Sequence, residues 1–111
     1  MLAAIGGVSL KNWFYAPEFV WRAGRALQQA QGDPLCLYAQ LFRHEERYFS
    51  LSVWQDAEAM LTFSHSGAHR RAMAVAAKLS ISHEFHHFPC IAVPTEEQAL
   101  RIWKQRFHPA N

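Results

Sequence analysis

The chain has 111 residues, with 11 Lys and Arg against 9 Asp and Glu, so its formal net charge is only +2. Half of it is hydrophobic and 14% aromatic, which excludes a disordered chain and suits residues 1–111 forming a single domain around one core. The cations are scattered without an aromatic–basic motif, so no nucleic-acid partner is expected. No apolar run approaches the ~18–20 residues of a membrane span, and MLAAIGGVSLKNWF lacks the basic leader of a signal peptide. Cys36 and Cys90 lie far apart outside any CxxC pair and read as free thiols of a cytoplasmic protein.

Residues 2–13 form a β-type stretch whose glycines weaken the strand or let another backbone approach. Pro17 then suits a helix first turn, Phe19, Ala23, Ala26, Leu27 and Ala30 recur at helical spacing, and Gly32 ends the helix. Two alternating runs follow, joined by the charged turn RHEER, and predict an antiparallel hairpin. Leu35, Leu37, Ala39 and Leu41 alternate with Cys36, Tyr38, Gln40 and Phe42 on its first arm. On its second arm Phe49, Leu51 and Val53 alternate with Tyr48, Ser50, Ser52 and Trp54. Asp56 caps a helix with an inward stripe of Ala57, Met60 and Leu61. After a break at Ser66-Gly67 the helix resumes with Ala68, Ala72, Val75 and Leu79 inward. Thr95 and Gln98 form a capping box for a last helix that buries Ala99, Leu100, Ile102 and Trp103.

Residues 82–88, SHEFHHF, contain the H-E-x-x-H signature of zinc peptidases. The signature needs a helix, and these residues alternate: Ile81, His83, Phe85 and His87 against Ser82, Glu84, His86 and Phe88, with Pro89 blocking a helix. On a strand His83 and His87 stand about 13 Å apart at ~3.3 Å per residue, beyond what one zinc ion can bridge. A zinc hydrolase is therefore the remote alternative and no metal ligand is assigned. His86, pointing away from the helices with Glu84, is a candidate for lining a polar pocket.

The element order βαββαβ plus a C-terminal helix predicts an α+β, ferredoxin-like protomer with helices on one face of an antiparallel sheet. The opposite face would carry Cys36, Tyr38, Gln40, Phe42, Tyr48, Ser50, Ser52 and Trp54, too aromatic to face water. A homodimer that closes two such sheets into a barrel would cover it.

LSVWQDAEAMLTFSHSGAHRRAM, with Trp54 ending a strand and Ser66-Gly67-Ala68-His69 opening a helix, resembles the dimeric α/β-barrel superfamily that includes the antibiotic-biosynthesis monooxygenases. It is similar in particular to an uncharacterised bacterial group related to spheroidene monooxygenase, and LKNWFYAPEFVWRAGRALQQAQGDP fits that group's first strand and helix. The resemblance spans residues 1–80 and implies a dimeric barrel with a pocket between sheet and helices. It implies a monooxygenase-like activity on a hydrophobic organic molecule, or haem binding; a non-catalytic ligand-binding or interaction module on the same scaffold is the alternative. The haem-degrading branch uses an Asn on the first strand, a Trp, and a His on the second helix. Asn12 matches the first, while alignment on Trp54 sets Phe63 and Met73 at the other two. His69 is the candidate catalytic base or haem ligand, and Asn12, Trp54, Phe63, Met73 and His86 complete the candidate pocket.

Overall fold

A computed structural model describes residues 1–109. The elements run β1 (Leu2–Leu10), a 3-10 turn (Trp13–Tyr15), α1 (Ala16–Gln31), β2 (Cys36–His44), β3 (Arg47–Trp54), α2 (Ala57–Ser64), α3 (Gly67–Leu79), β4 (Ser80–Pro89) and α4 (Glu96–Phe107). The four strands make one antiparallel sheet in the order β2-β3-β1-β4, the ferredoxin-like topology that the element order predicts. The helix starts follow local chemistry. Asp56 accepts a hydrogen bond from the Ala59 N–H at 2.9 Å. Thr95 and Gln98 satisfy each other's backbone N–H groups at 3.0 Å. At Ser66 the backbone is extended and the hydroxyl accepts from the His69 N–H, which separates α2 from α3.

Register decides the two sheet faces. The β2–β3 turn has only two residues, Glu45 and Glu46, both with positive φ (49 and 68), and His44 pairs with Arg47. That is the primed turn that matches strand twist. It pairs Phe42 with Phe49 and Gln40 with Leu51, so Tyr38, Gln40 and Phe42 share a face with Phe49, Leu51 and Val53. The five-residue turn expected from RHEER would set β3 one residue off, and a one-residue slip exchanges faces. Tyr48, Ser50, Ser52 and Trp54 therefore lie with Ala39 and Leu41 beneath α1 and α3, which corrects the expected bare aromatic face.

The other face is occupied by α4, which sets Ala99, Leu100 and Trp103 on Ile5, Phe49 and Leu51. Trp103 meets Phe49 edge-on at 4.8 Å between ring centroids, and its indole N–H donates to the Glu84 carbonyl at 2.9 Å. Burial of each such aromatic contributes roughly 1.5–3 kcal/mol. Under α1 and α3 lie Val8, Phe19, Ala76 and Leu79, with Ala30, Ala39, Trp54 and Ala59 farther along. The β1 glycines admit rings rather than a second backbone. A Cβ at Gly7 would sit 2.5 Å from Trp103 Cζ2, and one at Gly6 would sit 2.0 Å from Phe85 Cδ1.

Three packing expectations are revised. Ala57 is exposed and Leu61 is 52% exposed, Ala59 being the buried residue of α2, and Ile102 is exposed on α4. Each sits at a helix end or on an outer helix face, where spacing alone does not say which neighbour is present. Residues 80–89 are strand, so the helix required by HEFHH is not formed. No helix among the described residues is long and apolar enough to cross a membrane.

Candidate functional site

A cleft separates the sheet from α1 and α3, and its cause is residue size. The sheet floor carries Gly6, Ser50 and, farther along, Ala4, Ala39 and Ser52; the helical roof carries Ala23, Ala26, Ala72 and Ala76. Interiors are close-packed when large side chains interdigitate, and small ones opposed across a helix–sheet gap leave volume unfilled. The larger lobe has about 280 Å³, the smaller about 150 Å³. Walls of Val8, Phe19, Val20, Leu41 and Met73 make the larger lobe apolar, and its polar groups come from His69, Tyr48, Ser50 and Arg43. The Arg43 guanidinium lies over the Tyr48 ring, 5.4 Å from its centroid. Few polar groups in an apolar concavity are the usual make-up of a small-molecule site.

His69 borders both lobes. The Ser66 cap starts α3 so that His69 falls in its first turn, and the imidazole Nδ1 stands 3.2 Å from the Ser64 carbonyl oxygen. A carbonyl can only accept, so Nδ1 carries the proton and, in the neutral ring, Nε2 keeps its lone pair. Burial pushes the His69 pKa below the ordinary 6.5, against a smaller opposing effect of the Ser64 hydrogen bond. The Phe63 ring braces the imidazole edge-on at 5.1 Å. The result is a half-buried, oriented neutral imidazole that can accept a proton or hydrogen bond inside an apolar cleft.

The other candidates divide. Met73 lines the larger lobe and Phe63 the smaller. His86 borders the smaller lobe, although its ring stacks on Phe88 and meets Phe107 on the α4 side; burial first, then Arg106 and His87, lowers its pKa. Trp54 is fully buried, packs at a tilt against Phe63 with ring centroids 4.8 Å apart and donates to the Ser52 hydroxyl at 3.0 Å, so it supports the cleft from behind. Asn12 lies beyond β1 and outside the cleft, where its side chain caps the 3-10 turn through the Phe14 N–H. Tyr48, Ser50, Arg43 and Phe85 were missed because a period of two alone does not say which face carries the cleft. The alanine spacing of α1 and α3 was the available signal. The larger lobe, at about 280 Å³, lies at the lower end of the ~300–1,000 Å³ that small-molecule pockets span.

Residues 14–98 match the family described as a domain of unknown function, DUF3291. The chain belongs to that family. The fold of this DUF3291 protein is shared by antibiotic biosynthesis monooxygenase-like proteins. SnoaB, a cofactor-independent oxygenase from Streptomyces nogalater whose structure is of a point mutant, is 16% identical; the alignment covers 86% of this chain and 97% of SnoaB, at TM-score 0.69. Rv0793 from Mycobacterium tuberculosis is 8% identical over 85% of this chain and 98% of its own, at TM-score 0.75. A Nitrosomonas europaea protein provisionally named an antibiotic biosynthesis monooxygenase is 8% identical over 83% and 100%, at TM-score 0.74. No curated protein matches the sequence.

Proposed function

We propose that the chain binds a hydrophobic ring-bearing molecule in the cleft and oxygenates it, with His69 as the base and without haem. The observation that carries this is the hydrogen bond of His69, whose Nδ1–H is engaged by the Ser64 carbonyl, leaving Nε2 free as an acceptor on a residue that borders the cleft. For a phenol such as 1-naphthol, Nε2 takes the hydroxyl proton and leaves an electron-rich ring that dioxygen oxidises. One oxygen atom enters the ring as a carbonyl opposite the first, the other leaves as water with two hydrogens, and 1,4-naphthoquinone results. The fold shared with a cofactor-independent oxygenase supports this reading. The kinship with the group related to spheroidene monooxygenase belongs to the same proposal, carried by Trp54 and the Ser66-Gly67-Ala68-His69 turn.

The test incubates protein with 1-naphthol in air and follows the quinone. Turnover by the wild type, lost in His69→Ala, is expected. Binding without turnover would favour the non-catalytic ligand-binding module, and absence of binding would sink both. Hemin is titrated in parallel: no sharp Soret band is expected, and one that disappears in His69→Ala would restore the haem reading. We also propose that two copies associate, since Leu37 on the β2 edge and Ile91 and Val93 after β4 leave large apolar side chains in water. Light scattering that finds a monomer at micromolar concentration would count against it. The free Cys36 and Cys90 support a cytoplasmic setting.

A further inference from the structure

The boundary between the two lobes can be traced through the elements. On β1, Gly6 lies between Val8 of the larger lobe and Ala4 of the smaller; on β3, Ser50 lies between Tyr48 and Ser52; on α1, Ala26 lies between Ala23 and Ala30. Leu41, His69 and Phe85 complete this waist, so the imidazole is reachable from either side. Phe85 has the largest apolar side chain there. Its ring rests so closely on Gly6 that any side chain at position 6 would collide with it, as the 2.0 Å separation to a built Cβ shows. β4 is an edge strand and Phe85 is 41% exposed, so the ring has solvent on one side. The bond from Cα to Cβ offers the ring other staggered positions on that open side.

We propose that Phe85 determines the length of ligand the cleft accepts. With its ring on Gly6 it confines a ligand to the larger lobe beside His69, and rotation toward solvent joins the lobes for a longer one. The proposal rests on the cleft-binding reading above. A dry cavity of about 150 Å³ takes one benzene, so the larger lobe takes roughly two fused rings and the joined lobes roughly three.

Isothermal titration of 1-naphthol, with two rings, and 1-anthrol, with three, into wild type, Phe85→Ala and Phe85→Leu tests this, with circular dichroism to confirm folding. The wild type is expected to prefer 1-naphthol by about tenfold or more, a difference of ~1.4 kcal/mol. Both variants are expected to reduce that preference below about threefold by binding 1-anthrol more tightly. Phe85→Leu keeps a branched apolar group on the strand and decides the matter if the alanine variant does not fold. An equal affinity of the wild type for both probes, or an unchanged preference in the folded variants, overturns the role of Phe85 and leaves ligand binding standing. If none of the three proteins binds 1-naphthol, the cleft reading itself fails and this proposal with it.

Discussion

His69 combines three constraints that one residue rarely satisfies together: a capped helix start, a carbonyl that dictates its tautomer, and an apolar cavity that resists its charge. The lowered pKa has a definite thermodynamic sign. The unfolded chain binds the proton more readily than the folded one, so the stability linked to His69 is complete above the ordinary 6.5 and declines as pH falls toward the lower folded value. The same protonation removes the Nε2 acceptor. Affinity for 1-naphthol is therefore expected to hold through the ordinary 6.5 and to fall only as pH drops through the lower folded pKa of His69, and this dependence is expected to vanish in His69→Ala. Calorimetry across the pH range checks both. Gly7 is a second residue-scale case, since a methyl group there must displace Trp103 or Phe49. Gly7→Ala is expected to cost about 1–3 kcal/mol in urea denaturation. The small residue was readable as a strand-weakening feature, but the rings that need it arrive from 42 and 96 positions away in sequence (Phe49 and Trp103), so their identity was not.

At the scale of elements, caps and turns behave as local chemistry dictates. Thr95→Ala removes half of the capping box and is expected to destabilise α4 by about 1 kcal/mol, seen as a lower denaturation midpoint. The β2–β3 turn carries glutamates at two left-handed positions, where Asn and Gly are better suited. Glu45→Asn with Glu46→Gly is expected to raise the midpoint, the stabilisation being on the order of 1 kcal/mol. This turn is also where sequence reading failed. The alternation on each arm was plain, but the pairing between arms depends on whether two or five residues form the loop. RHEER does not distinguish the two because charged residues extend as readily as they turn.

For the whole molecule, the sheet is covered on both faces, by α1 and α3 on one side and α4 on the other. Trp103 holds α4 in place through a ring contact with Phe49 and a hydrogen bond to β4. Trp103→Ala is expected to cost about 3–5 kcal/mol, a large part of the ~5–15 kcal/mol by which domains are stable. The cleft on the opposite side is a vacancy between small residues. Ala72→Leu is expected to occupy it, abolish 1-naphthol binding and leave the protein folded, with thermal stability raised or little changed. Loss of binding in Ala72→Leu together with retention in Trp103→Phe would separate the cleft from the rest of the core.

The sequence by itself determined the strands, the helices, their caps and the ferredoxin-like order, because hydrophobic period and capping residues act over a few positions. It also rejected the helix needed by HEFHH, since alternation and Pro89 are local signals. Only the tertiary structure decided which face of β3 meets which helices, where α4 lies, and that Trp54 supports a cleft that Phe85 lines. Those outcomes depend on a two-residue turn and on contacts between distant segments. A period of two names two faces without saying what will cover either.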